Sequence, residues 1–315
     1  MKRLTLKSPH FLFLQKDFAR WLDVLGYSRG MVSSFPLFLR EFFHWLEAQG
    51  ASQITQIDAS LIQTYYLYLS RREKQRMGKG ALATATVNHH LTALNKLADY
   101  LKKNADYILP VHGITPMEVI HQPIIPLTIA QIKALYHATK RYENDWPLQA
   151  LRDRAMLALL YDCGLRRMEA VQLELPDLHL EDRTLLVRKG KNNKQRMVPF
   201  SQPTAVHLID YCYLARPQLL DHQKNQALLL NLRGQPCSLA LPGKRLKVIQ
   251  QHVNDRELQG KSLHPHLLRH SIATHLLYGG MSLEHVSRFL GHGTLDVTQR
   301  YTHLVQEYGQ QLTSP

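Results

Sequence analysis

The chain has 315 residues, enough for two domains of about 150 residues that each bury a core. With 44% hydrophobic residues, 16 Gly and 15 Pro, disordered, collagenous and low-complexity classes are excluded. Three scattered cysteines, Cys163, Cys212 and Cys237, exclude a disulfide scaffold and fit a reducing compartment. The formal charge is +14, from 39 Lys and Arg against 25 Asp and Glu, which points to nucleic acid ahead of ribosomal or acidic-membrane partners. Residues up to 110 hold 15 basic and 8 acidic side chains and the remainder 24 and 17, so each part carries +7. A protein gripping a polyanion from two sides needs that balance. The early apolar run is broken by Gln15, Lys16 and Asp17, and nothing approaches the roughly 20 apolar residues of a membrane span. A cytoplasmic location is expected.

Residues 11–103 read as helical. Apolar positions 11, 14, 18, 22 and 25 form one stripe that stops at Gly26, and a second stretch covers 38–46. Asp58 is a natural cap for a helix over 61–69, and Thr84 or Thr86 for one reaching 101. Between the last two lies a run with Arg71, Arg72, Lys74, Arg76 and Lys79, read either as a solvated loop or as a phosphate contact. Tyr65, Tyr66 and Tyr68 read as core ahead of base stacking. Pro110, Pro116, Pro123 and Pro126 mark 108–126 as a linker, giving domains 1–107 and 127–315. Thr128 and Gln131 form a capping-box pair, 151–163 is a strongly apolar helix closed by Gly164, and 185–188 with 197–200 read as a β-hairpin around Gly190-Lys191-Asn192-Asn193. Helices return from Ala205, with no internal repeat.

The last fifty residues carry the candidate chemistry. Pro265 opens a helix that Gly279-Gly280 would end, and His266 and Arg269 stand three apart on it. Ser282 caps a short helix ending at Leu290-Gly291, His292 follows that end, and Thr294 caps a final helix bearing Tyr301. Upstream, Arg166 follows the Gly164 stop and Lys191 sits at the hairpin tip. Neither a carboxylate cluster, a glycine-rich phosphate loop nor a Ser or Cys elbow is present. His264, His266, His270 and His275 lack the Glu of HExxH and a matching further ligand, so metal is not expected; His270 and His275 read as structural. Two Arg, two His, one Lys and one Tyr instead suit a pentavalent phosphate. Arginines fork onto its nonbridging oxygens, where charge develops, and a tyrosine can hold the phosphoryl group as a diester without ATP.

The segments Gly164-Leu165-Arg166-Arg167-Met168-Glu169, Gly190-Lys191-Asn192-Asn193-Lys194-Gln195-Arg196, Pro265-His266-Leu267-Leu268-Arg269-His270-Ser271 and Leu290-Gly291-His292, with Tyr301 nine residues on, resemble the tyrosine recombinase (phage integrase) family, most closely its Xer-like members. Residues 11–103 resemble the family's helical, SAM-like core-binding domain, so the resemblance covers nearly the whole chain. It implies a mainly α fold with a small β-sheet or hairpin, closing on duplex DNA as a C-shaped clamp. It also implies site-specific recombination, in which Tyr301 forms a 3′-phosphotyrosyl link and releases a 5′-hydroxyl. Arg166 and Arg269 would hold the scissile phosphate, Lys191 protonate the leaving oxygen, His266 assist proton transfer at the nucleophile and His292 donate to the phosphate, with Glu169 in support. A second strand's 5′-hydroxyl would then reseal the break, without metal, nucleotide or other cofactor. The implied partners are double-stranded DNA in the nucleoid and further copies forming a tetramer on two sites, with a second recombinase or accessory protein as another partner. Lys189, Lys194 and Arg196 join the basic run at 71–79 as candidate DNA contacts.

The chain departs from the pattern in Arg167, where many relatives have a small or aliphatic residue, and in Asn192, where the family commonly has Gly; Asn tolerates the left-handed geometry of a tight turn. Fourteen residues follow Tyr301, so a helix docking on a neighbouring subunit would be a short version over 305–312. Two rival readings are a type IB topoisomerase-like enzyme, separated by whether two duplexes are brought together, and a DNA-binding protein with a dead site, which would lack at least one member of the set.

Overall fold

The computed structural model describes residues 4–73, 80–111, 113–119, 124–188, 195–220 and 224–291. The chain divides into two compact units, Met1–Gln122 and Pro123–Pro315.

The first unit is helical. Helix α1 (Pro9–Val24) starts where the Ser8 hydroxyl accepts from the Phe11 N–H, and it buries Phe11, Leu14, Phe18 and Leu22, the stripe read from the sequence. Helix α2 (Arg29–Ala48) begins nine residues before the expected stretch and carries Pro36 inside it. Gly30, Ser33, Ser34 and Pro36 all disfavour a helix interior, which hid this turn. Burial of Phe35, Leu39, Phe42, Phe43 and Leu46 outweighs that propensity, with Phe43 stacked on Phe11 at 4.7 Å between ring centroids. Helix α3 (Ala59–Arg71) is capped by Asp58, and helix α4 (Thr84–Asn104) closes the unit's core with Leu91, Leu94, Leu97 and Leu101. Tyr65 and Tyr66 are core residues, Tyr65 pairing its hydroxyl with His90 Nδ1 at 3.1 Å, whereas Tyr68 reaches the surface. Leu109 and Val111, within the stretch read as a linker, are buried in this same core, and Tyr66 Oη accepts from the Met117 N–H.

The second unit is mainly helical and carries one three-stranded antiparallel sheet. Helix α5 (Ile129–Lys140) opens on the expected Thr128–Gln131 capping box. Helix α6 (Pro147–Leu157) continues as one wide π turn, Ala158–Asp162, and stops at Gly164, whose φ of +58° is left-handed. Helix α7 (Arg167–Gln172) follows at once. Strands β1 (Leu178–His179), β2 (Thr184–Val187) and β3 (Arg196–Pro199) form the sheet in that order; the sequence reading had only the last two. Register pairs Leu185 with Val198 and Val187 with Arg196. Leu185, Val187 and Val198 are buried, so the inner face of β3 holds Val198 and, two residues back, Arg196. Helix α8 (Gln202–Asp210) runs through a second π turn, Tyr211–Ala215, into α9 (Arg216–Leu220). Helices α10 (Leu241–Gln251), α11 (Arg256–Gly260), α12 (Pro265–Tyr278) and α13 (Leu283–Leu290) complete the unit. Among the described residues, no helix is long and apolar enough to cross a membrane.

Candidate active site

Three chain segments meet at one carboxylate. Gly164 ends the α6 run, and no side chain fits there: a Cβ would stand 2.8 Å from Leu290 Cδ2 and 3.1 Å from Phe289 Cε1. That close approach seats α13 against the turn and puts Arg166 at the start of α7. One turn on, Glu169 folds back, its carboxylate accepting from the Arg166 N–H at 2.9 Å and from Arg166 Nη1 at 2.8 Å. From β3, Arg196 donates Nη1 and Nη2 to the same carboxylate at 3.1 and 2.8 Å. From α12, Arg269 places Nη1 3.7 Å from Glu169 Oε2. One buried anion thus faces three guanidinium groups.

The same three arginines also cap the end of α13. Helix termini leave their last carbonyls without intrahelical partners. Here Arg196 Nε donates to Phe289 O at 3.1 Å, Arg269 Nη2 to Leu290 O at 2.6 Å and Arg166 Nη2 to Gly291 O at 3.2 Å. Arg269 Nη1 further donates to Gly164 O at 2.6 Å. Three positive charges at a helix C-terminus also oppose the negative end of its dipole. The end of α13, which His292 follows in the sequence, is thus clamped by Arg166 and Arg269.

The electrostatics follow from that frame. Burial pushes the Glu169 carboxyl up, but Arg196 first and Arg166 second outweigh it and hold the group down at about 2. Glu169 is therefore a fixed anion. His266, at the solvent edge of α12, is held below the ordinary imidazole value by partial burial and then by the neighbouring His264 ring and the guanidinium groups of Arg269, Arg167 and Arg166. It is neutral near pH 7 and able to take a proton. His270 is driven down to about 4, chiefly by burial. His275 Nδ1 lies 2.7 Å from Tyr161 Oη, in keeping with a structural part.

Arg166, Glu169, His266 and Arg269, singled out in the sequence, are brought together here. Lys191, His292 and Tyr301 lie outside the described residues, as do Lys74, Arg76, Lys79, Lys189 and Lys194. Arg71 is exposed at the end of α3. The expected phosphate contacts Arg72 and Arg196 differ from expectation. Arg72 pairs with Glu41 at 2.5 Å, with 9% of its side chain exposed, and Arg196 is 11% exposed against Glu169. In each case a buried carboxylate would be left unpaired if the arginine turned outward. The inward side of Arg196 was readable from the period-two alternation with Val198 and Phe200. Its partner was not.

The chain matches the family model described as "Phage integrase family" over residues 126–307. It is 34% identical over 295 residues to "Tyrosine recombinase XerD" of Lacticaseibacillus casei, covering 93% of this chain and 94% of that one. Among solved structures it is similar to a XerH site-specific recombinase bound to palindromic difH substrate, a post-cleavage complex, with TM-score 0.71 and 21% identity over 98% of this chain and 89% of the other. A lambda integrase tetramer bound to a Holliday junction shares the fold at TM-score 0.61 and 14% identity, covering 95% and 78%.

Proposed function

The chain belongs to the phage integrase family, as a Xer-like tyrosine recombinase that cuts and rejoins DNA at specific sites, and on that premise we propose how its own residues divide the work. Tyr301 Oη attacks the scissile phosphorus and the bond to the 5′ oxygen breaks. The chain is left joined to the DNA 3′ end as a phosphodiester. Neutral His266 takes the tyrosine proton and Lys191 gives one to the departing 5′ oxygen. Arg166 and Arg269 hold the nonbridging oxygens with His292 beside them, and Glu169 keeps the two arginines aimed. A 5′-hydroxyl from a second duplex then attacks the phosphotyrosine, so strands are exchanged and no bond energy is lost to hydrolysis.

The observation that carries this reading is the clamp of Arg166 and Arg269 onto the last carbonyls of α13, immediately ahead of His292. It supports the reading because Arg166, Arg269 and Glu169 meet at the helix end that precedes His292 in the sequence. Action on the nucleoid within the cytoplasm, two domains divided by a connector and assembly as a tetramer on two sites complete the proposal. The assembly is supported by the shared fold with the tetrameric lambda integrase complex.

The test is covalent trapping. Purified chain and its Tyr301→Phe variant are incubated with EDTA on a nicked duplex bearing a site selected from a random-sequence DNA library by the wild-type chain. Only the wild type should give a 3′-linked protein–DNA adduct on a denaturing gel, with both proteins binding alike. An adduct with Tyr301→Phe would reassign the nucleophile. Bound wild-type protein without an adduct would favour a purely DNA-binding role, and cleavage without synapsis of two duplexes a topoisomerase-like one.

A further inference from the structure

Arg196 belongs to no motif position assigned a step above, yet all three of its guanidinium nitrogens are engaged. Its guanidinium uses Nη1 and Nη2 on Glu169 and Nε on the Phe289 carbonyl, so its fork spans β3, α7 and α13. It packs against the chain at Gly291, where an added Cβ would meet its Nη1, Cδ and Cζ at 2.7, 2.8 and 2.9 Å. Gly291 has a φ of +67°, so two independent demands, backbone and space, fall on the same glycine. Strand β3 is also the returning strand of the hairpin whose connecting segment holds Lys191. Arg196 therefore ties the base of that hairpin to the carboxylate that aims Arg166 and to the helix end that precedes His292.

We propose that Arg196 is a positioning residue for strand cleavage, acting through Glu169 and the end of α13 to hold Arg166 and Arg269 in register with the hairpin, and that it does not contact DNA phosphate. The inference rests on the reading of Arg166 and Arg269 as the residues that hold the scissile phosphate. Its physical content is geometric. A planar fork with five donors can satisfy two acceptors on different elements at once, whereas a lysine ammonium on a flexible stem cannot reproduce both contacts in one conformation. Misplacement of reacting groups by about 1 Å costs on the order of a hundredfold in rate.

The decisive comparison is wild type against Arg196→Lys on the selected, nicked duplex, measuring single-turnover adduct formation at saturating DNA, the half-saturating concentration and the salt dependence of binding. Cleavage should fall at least about tenfold while half-saturation and the salt slope stay at wild-type values. The charge-removing Arg196→Gln, measured alongside, should likewise keep the wild-type slope, whereas if Arg196 touched phosphate its slope of log K against log salt would become shallower by about 0.9, with weaker binding. That result, or wild-type cleavage by Arg196→Lys, overturns the proposal. Should the lysine variant not fold, Arg196→Gln, Glu169→Gln and the double variant form a cycle. A residue acting through Glu169 loses no more in the double variant than in the worse single one, and additive losses would refute the coupling. An absent adduct with the wild type identifies failure of the underlying reading before any variant is compared.

Discussion

Glu169→Gln removes the one negative charge at the centre of three guanidinium groups. In the folded chain the carboxyl sits at about 2, against an ordinary value of 4.5. A displacement of that size corresponds to about 3 kcal/mol favouring the charged form at neutral pH, within the range for breaking a buried ion pair. Only 4% of the side chain is exposed, so solvent screens little of it. A glutamine amide keeps one oxygen but turns an NH2 group toward a guanidinium, leaving Arg166 and Arg196 competing for a single acceptor. In a unit of this size the loss should lower the melting temperature by roughly 6–12 °C. The sign with pH is set by the depressed carboxyl: its contribution is complete above about pH 4.5 and disappears as pH falls toward 2. The gap between wild type and variant should therefore be full at pH 7 and smaller by roughly 1–1.5 kcal/mol at pH 3.5. Thermal and urea unfolding of both proteins at the two pH values provide the assay, alongside single-turnover cleavage at saturating DNA, expected to fall by about tenfold to a hundredfold. Equal stability at pH 7, or a gap that stays constant down to pH 3.5, would refute the account of Glu169 as the anion that holds these arginines.

Other perturbations probe separate parts of the argument. Gly164→Ala combines a left-handed backbone, costing about 1 kcal/mol, with a Cβ driven against Leu290, so a loss of about 3 kcal/mol in urea unfolding and slower cleavage are expected; a neutral substitution would mean that α13 is not seated on that turn. His90, only 2% exposed, is held at about 4 by burial and then by Arg72 and His89. Its folded value lies below 6.5, so the stability that it contributes is complete above pH 6.5 and is lost as pH falls toward 4. Between pH 7 and pH 5 the amides of α4 should lose protection from hydrogen exchange equivalent to about 2 kcal/mol, a loss that His90→Gln should abolish. His266 is held neutral, so the rate of adduct formation should drop on the acid side with a midpoint below pH 6.5. The same limb surviving in His266→Gln would assign it to another group.

Much of the local structure was legible from short-range rules. Asp58, Thr128 and Ser282 each accept from a backbone N–H three residues on, and Gly164 stops its helix as the pattern predicts, whereas α4 starts after Ala83 without the side-chain cap expected of Thr84 or Thr86. The failures are equally local in origin. Helix α2 was truncated because Gly30 and Pro36 argue against it by propensity, and a buried stripe of phenylalanines and leucines overrode them. Arg196 reads as a DNA contact by its charge and its nearness to Lys191, although its alternation with Val198 places it on an inner face.

By itself, then, the sequence determined what nearest neighbours along the chain control: where the side-chain-capped helices begin and where glycine stops them, which face of each is apolar, and the order and spacing of Arg166, His266, Arg269, His292 and Tyr301. Only the tertiary structure decided where the cations go. Arg196 meets Glu169 across 27 residues and the Phe289 carbonyl across 93, and Arg166 meets the Gly291 carbonyl across 125. Propensity and capping act within about a turn of helix, whereas the partner of a buried charge is chosen by whichever distant polar group packing leaves unsatisfied beside it.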